Sequence, residues 1–250
     1  MSYPTKQLVE LGTSLVEEAE HRGALLRLLG GLAYYLNSPQ ATVLPELQRE
    51  YKDLDFAVNT RGARALTEVF RNLGWTDDHY FNALHGATRM LFYYQETLQA
   101  DIFVGVFEQC HKIDFKDRLV LSKPTIPLAD LLLTKLQIHQ LNKKDIQDVV
   151  TLLYDHDFGR STPVEMPELE HIIRMTAGDW GWYTTVHDNL IAVEPMVDDF
   201  LKSKELTRVK ANLAWIRQSM ENAPKSLKWK MRDQIGRRMQ WYEEPEEVNR

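Results

Sequence analysis

Cysteine is almost absent from this 250-residue chain: Cys110 stands alone. No internal disulfide and no cysteine-based zinc site can form, which suits a reducing compartment. A lone cysteine of this kind is expected as a small buried apolar side chain rather than a reactive thiol. Long hydrophobic runs are missing too. No stretch approaches the roughly 18 consecutive apolar residues of a membrane span, and Met1-Ser2-Tyr3-Pro4-Thr5-Lys6 leads into charged residues instead of a signal sequence. A cytoplasmic location with no membrane partner is the expectation. Glycine and proline, at 12 and 10, are scarce beside 44% hydrophobic and 26% charged residues, which excludes collagen-like, low-complexity and wholly disordered chains. Positive charge is not in excess: the net charge is −6, so any nucleic-acid contact needs a local patch. There is no internal repeat, Ser-His-Asp set, P-loop or Rossmann fingerprint. The eight histidines have no metal-binding spacing, so His79, His85, His139 and His156 are expected to be structural.

What is present divides the chain. Leu8, Leu11, Leu15, Val16 and Ala19 recur at helical spacing and the helix ends near Gly23. Residues Ala24–Leu29 form a run of strand length, Gly30-Gly31 a tight turn, and Leu32–Leu36 the start of a helix; residues 37–46 read as a loop. Asp53–Val58 alternates and then turns apolar, as in a strand with one buried end. Helical period returns over Arg61–Leu73, with Gly74 at its end. Arg89–Tyr94 and Leu98–Phe107, rich in aromatic and β-branched residues, read as a hairpin; His79 and His85 flank an aromatic loop before it, and Leu119–Leu121 suggests a further strand. From Pro127 on, amphipathic helices are predicted: two joined near Asn142, then segments near 165–177, 183–203, 205–222 and 224–242, with a frayed acidic tail at 243–247. Trp180 and Trp182 are expected to pack. The expected fold is α+β, with a mixed sheet and flanking helices over 1–125 and a helical half over 126–250.

Three acids carry the chemical signal. Asp53 and Asp55 lie two apart on a predicted strand, so both leave the same face and can share a cation. Asp101, amid apolar neighbours on a strand that could lie beside theirs, needs a hydrogen bond, a partner or a metal. Converging carboxylates suit a hard divalent ion such as Mg²⁺, although a D-x-D pair alone also fits a plain surface. Gly30-Gly31, at a strand-to-helix turn, would let backbone amides approach a phosphate, and is otherwise a simple tight turn. Lys225, Lys228, Lys230, Arg232, Arg237 and Arg238 gather near the end of the chain with Trp229 and Trp241. Lys225, Lys228 and Arg232 would share one helical face, either for a polyanion such as RNA or as a solvated basic surface.

In order, Leu28-Leu29-Gly30-Gly31-Leu32-Ala33, Arg49-Glu50-Tyr51-Lys52-Asp53-Leu54-Asp55-Phe56, the strand bearing Asp101, Lys135, and Lys144-Asp145-Ile146-Gln147-Asp148 resemble the nucleotidyltransferase superfamily. The likeness covers residues 24 to 155 and is greatest to its minimal and AbiEii-type branches. It implies a polymerase-β-like core in which Gly30 and Gly31 contact the triphosphate and Asp53, Asp55 and Asp101 hold Mg²⁺. Asp101 would also help deprotonate the acceptor. Arg49 and Lys52 would neutralise phosphate charge; Lys135 and Lys144 would serve the triphosphate and Asp145 the acceptor, although Lys144 and Asp145 equally suit an ordinary helix start. The implied reaction moves a nucleoside monophosphate from a nucleoside triphosphate to a hydroxyl of RNA, a protein or a small compound. Leu32 and Tyr51 stand where such proteins often carry Ser or Thr. They leave open a non-catalytic nucleotide-binding or interaction protein, beside a toxin acting on tRNA.

Overall fold

The computed structural model describes residues 3–244, so Pro245, Glu246 and Glu247 of the expected acidic tail lie outside the described residues. Contacts gather the chain into two units, one of Met1–Leu36, Arg49–Phe107 and Lys112–Pro127, the other of Asn37–Gln48, Glu108–His111 and Leu128–Arg250. Two short segments from the first half of the sequence therefore pack with the helical unit. Among the described residues no helix is long and apolar enough to cross a membrane.

In the first unit, Leu8, Leu15, Val16 and Ala19 form the buried stripe of α1 (Thr5–His21). The apolar run behind it becomes β1 (Leu26–Leu29), which passes directly into α2 (Gly30–Asn37), so the two glycines open the helix instead of preceding it. Next come β2 (Asp53–Val58) and α3 (Ala63–Asn72). The stretch read as an aromatic loop is β3 (Trp75–Asp77) and α4 (His79–His85). Asp78 caps that helix by accepting from Phe81 N at 3.0 Å. The Asn82 amide stands in for a strand partner, donating to Leu91 O at 3.0 Å and accepting from Leu91 N at 2.7 Å.

The hairpin is formed by β4 (Arg89–Tyr94) and β5 (Leu98–Val104), but its second strand stops at Gly105, whose φ is +75°. Beyond it, β6 (Val106–Glu108) pairs with β7 (Lys112–Asp114), a strand absent from the sequence reading. Residues 119–121 are not a strand: Leu119 is buried while Val120 and Leu121 are exposed, and the backbone turns back with Leu121 N donating to Arg118 O at 3.0 Å.

The five-stranded sheet has the order β1-β2-β5-β4-β3, with β2 and β5 parallel and the other neighbours antiparallel. Register sorts the side chains. One face carries Leu28, Phe56, Ile102 and Met90 in line, with Phe92 beside Met90 on the same face. Against it lies Phe70 of α3, stacked on Phe92 with centroids 4.1 Å apart and edge-on to Phe56 and Trp75. The opposite face carries Asp53, Asp55, Gln99, Asp101 and Arg89.

The second unit is formed by α5 (Leu128–Leu136), α6 (Lys143–Asp155), α7 (Met166–Gly178), α8 (Trp180–Met196), α9 (Ser203–Asn222) and α10 (Leu227–Ile235). The segment expected over 183–203 starts earlier, at Trp180, because Asp179 caps it by accepting from Trp182 N at 3.0 Å. The helix expected over 224–242 is shorter: Ser226 caps its start, and Gly236 with φ +58° ends it. Cys110, Trp180 and Trp182 are buried, as expected.

Candidate functional site

The parallel pairing of β2 with β5 sets Asp55 directly opposite Asp101, and Asp53 opposite Gln99. All three acids therefore share one face, Asp53 exposed, Asp55 half-buried and Asp101 buried. Each strand reaches this arrangement by the same compromise. Apolar residues hold its other face, Phe56 of β2 lying edge-on to Phe70 of α3, and that register fixes where the acids emerge.

Gly30 and Gly31 stand at the end of β1, beside the acids, since Leu29 is paired with Asp55. A Cβ on Gly30 would lie 1.9 Å from Asp55 Oδ2, so the carboxylate rests against bare backbone. The residue also has φ +64°, which favours glycine for a second reason. A Cβ on Gly31 would lie 2.2 Å from Arg49 Nη2. Arg49 in turn sits over the Tyr51 ring at 4.8 Å, and Tyr51 packs edge-on to Tyr35 at 5.7 Å. The expected phosphate turn is thus flanked by a guanidinium on one side and a carboxylate on the other. Lys52 is exposed, while Leu32 and Tyr51 are buried.

The residue that sequence reasoning missed is Arg89. Its Nε donates to Asp101 Oδ1 at 2.8 Å and its Nη2 to Asp101 Oδ2, a two-point pair. That carboxylate raises the pKa of the guanidinium against the opposing effect of burial, with Asp55 adding to the rise. Strand β4 thus brings a base to the acids, which share one face. The signal was in the hairpin. With Gln95, Glu96 and Thr97 as the turn residues, Tyr94 pairs with Leu98 and Arg89 with Phe103, so Arg89 lies diagonally beside Asp101.

Three carboxylates on one face are the hard oxygen donors that Mg²⁺ takes. Both Asp101 oxygens are engaged by Arg89, so the residues present fit a carboxylate pair, Asp53 with Asp55. Among the described residues no three His, Cys, Asp or Glu side chains gather into a metal-binding group.

In the helical unit, Lys135 Nζ lies 2.8 Å from Asp145 Oδ1 and 3.2 Å from Asp148 Oδ2. Asp145 also completes a capping box with Asn142: its own N–H donates to Asn142 Oδ1 at 3.1 Å while its Oδ2 accepts from Asn142 N at 3.2 Å. Lys144 is exposed in the same first turn. The helix-start reading of Lys144 and Asp145 accounts for both.

The basic segment is not assembled as expected. Lys225 turns inward, donating to Met220 O and to Ala223 O at 3.0 Å and lying 4.8 Å from the Tyr183 ring centroid. Arg232 closes the helix end, donating to Gly236 O at 2.6 Å and Met239 O at 2.7 Å, over the Trp180 ring. Of the three residues meant to share a face, Lys225 serves the end of the preceding helix α9 and Arg232 the end of α10, which leaves Lys228 exposed. Trp241 likewise points inward, its Nε1 donating to Thr185 Oγ1 at 3.1 Å.

Compared with known proteins, the chain matches no family model and no curated sequence.

Proposed function

We propose that the chain is a Mg²⁺-dependent nucleotidyltransferase that moves a nucleoside monophosphate from a nucleoside triphosphate to a hydroxyl acceptor. The observation that carries this reading is Asp55 in register with Asp101 on adjacent parallel strands, with the Gly30 backbone bare against the Asp55 carboxylate. In the reaction the acceptor oxygen bonds to the α-phosphorus, the α–β anhydride bond breaks, and pyrophosphate leaves with its electron pair. When bound, Mg²⁺ supplies charge neutralisation at the phosphates and at the attacking oxygen.

The chain's own residues do the rest. Asp53 and Asp55 would hold the metal. Gly30 and Gly31 admit phosphate oxygens to the start of α2, where backbone amides and the helix dipole favour negative charge. Arg49, whose Nη2 would lie 2.2 Å from a Cβ on Gly31, supplies a positive charge beside that turn. Lys135, Lys144 and Asp145 keep only the roles implied by the resemblance in motif order.

A second reading, nucleotide binding without transfer, is favoured by one contact. Asp101, expected to accept the acceptor's proton, is held at both oxygens by Arg89. One assay separates the two. Purified protein is incubated with each α-labelled nucleoside triphosphate and Mg²⁺, together with RNA, protein or small hydroxyl compounds. Label carried onto an acceptor with pyrophosphate release supports transfer. Nucleotide binding with no labelled product in any mixture supports the second reading.

A further inference from the structure

We propose that the helical unit carries a binding site for a phosphate group, as a small phosphate ester or the free ion, in the open pocket between Arg160 and the first turns of α9. The pocket has a volume of about 570 Å³ and is lined by Arg160, Ser203, Lys204, Thr207, Arg208 and Ala211. That leaves room for a phosphate with a small organic body attached. Half of the lining side chains are cations and, among the described residues, no carboxylate lines the pocket. None of these residues belongs to the acid-bearing sheet, so the site stands whether or not that face binds Mg²⁺.

Both guanidiniums are held by neutral oxygens. Arg160 Nε donates to Asn212 Oδ1 at 2.7 Å, and Asn212 is itself buried and fixed, its Nδ2 donating to Leu153 O at 3.0 Å and His156 O at 3.2 Å. Arg208 lies over the Tyr154 ring at 4.4 Å, and its Nη2 donates to Tyr154 O at 2.6 Å. These contacts orient the two planar forks without cancelling their charge. Elsewhere Arg22, Arg71, Arg89, Arg217 and Arg237 each face a carboxylate. The acids nearest in sequence are engaged or turned away: Asp157 accepts from the backbone N–H groups of Gly159, Ser161 and Thr162, and Glu205 does not line the pocket. A phosphate dianion supplies the missing negative charge, and its oxygens suit the remaining N–H groups of both forks, the Lys204 ammonium and the Ser203 hydroxyl.

Calorimetric titration of the full chain with inorganic phosphate and, separately, with ribose 5-phosphate tests this, in chelator, without nucleotide and at fixed ionic strength. Wild type should bind at least one of the two. Arg160→Gln and Arg208→Gln should each weaken binding about tenfold, because each removes charged hydrogen bonds, and the double variant should abolish it. Arg160→Lys should keep part of the affinity, since it retains the charge but not the fork. Arg22→Gln, which removes the same charge from α1, and Arg49→Gln, at the glycine turn, should bind as wild type does. If an arginine variant fails to fold, Lys204→Gln on the exposed surface serves, with a loss of several-fold. Tighter binding of ribose 5-phosphate than of phosphate, lost in the double variant, supports the site with an ester as its ligand; equal binding of the two, lost in the same way, supports it with the free ion. No binding of either probe by wild type, or equal affinity in wild type and the double variant, overturns the proposal. So does a loss of binding in Arg49→Gln, which would move the phosphate to the glycine turn.

Discussion

Gly30 and Gly31 are glycine for different reasons, and their substitutions should behave differently. Gly30 combines φ +64° with the Asp55 carboxylate where a Cβ would go, so any side chain strains the backbone and displaces an acid. Gly31 has ordinary backbone, and its first clash would be with the end of the flexible Arg49 chain. Gly31→Val should therefore reduce nucleoside triphosphate affinity far more than thermal stability; a variant that melts early yet binds the triphosphate normally would make the turn purely structural. His111 gives a residue-scale prediction about pH. Burial lowers its pKa to about 4, opposed weakly by Asp179. Its Nε2 lies 2.8 Å from Thr185 Oγ1, which also accepts from Trp241, so the hydroxyl proton is available to a neutral imidazole. The unfolded chain takes up this proton first as pH falls, so stability from this group is complete above about pH 6.5 and drains away down to about pH 4. The loss amounts to about 3 kcal/mol. Thermal midpoints at pH 7 and 4.5 should converge in His111→Gln relative to wild type, and an unchanged acid loss would assign it to other groups.

Among the elements, α6 shows how a motif and a structural device coincide. Its capping box and its two buried carboxylates, Asp145 and Asp148, all meet the Lys135 ammonium on α5. Removing that ammonium leaves a local excess of buried negative charge, so Lys135→Ala should cost roughly 3 kcal/mol in denaturant unfolding. Loss of less than about half that would show that the cluster is not held chiefly by this lysine. Whereas α10 buries no residue, helices α5, α6, α7 and α9 of this half were legible because each buries an apolar stripe. So was the hairpin, from its aromatic and β-branched runs. What escaped were short elements whose partners are side chains. In α4 no residue is buried, so it leaves no periodic signal, and it exists through the Asp78 cap and the Asn82 amide. Residues 119–121 misled in the opposite way: three apolar residues in a row, of which one is buried.

For the whole molecule, the net charge is −6, so the proposed polyphosphate site depends on how charge is arranged within each unit. In the helical unit, of the cations read as either a polyanion-binding or a solvated basic surface, Lys225 and Arg232 donate to carbonyls and Arg237 contacts Asp188 at 2.7 Å. Spacing alone could not reveal this, since helix length and end-capping determine which cations stay free. In the sheet unit the three acids were readable as residues and as one face, because strand alternation is a fixed geometric rule. Their counter-ion was not, because pairing Arg89 with Asp101 depends on register across two strands. The central claim is that this face binds a triphosphate through Mg²⁺ held by Asp53 and Asp55. Calorimetric titration of Mg²⁺ with a nucleoside triphosphate into wild type and the Asp53→Asn, Asp55→Asn double variant tests it most directly. Binding that depends on Mg²⁺ in the wild type and vanishes in the double variant, with a thermal midpoint unchanged or raised by relief of carboxylate repulsion, is the predicted result. Undiminished Mg²⁺-dependent binding in the double variant would contradict it.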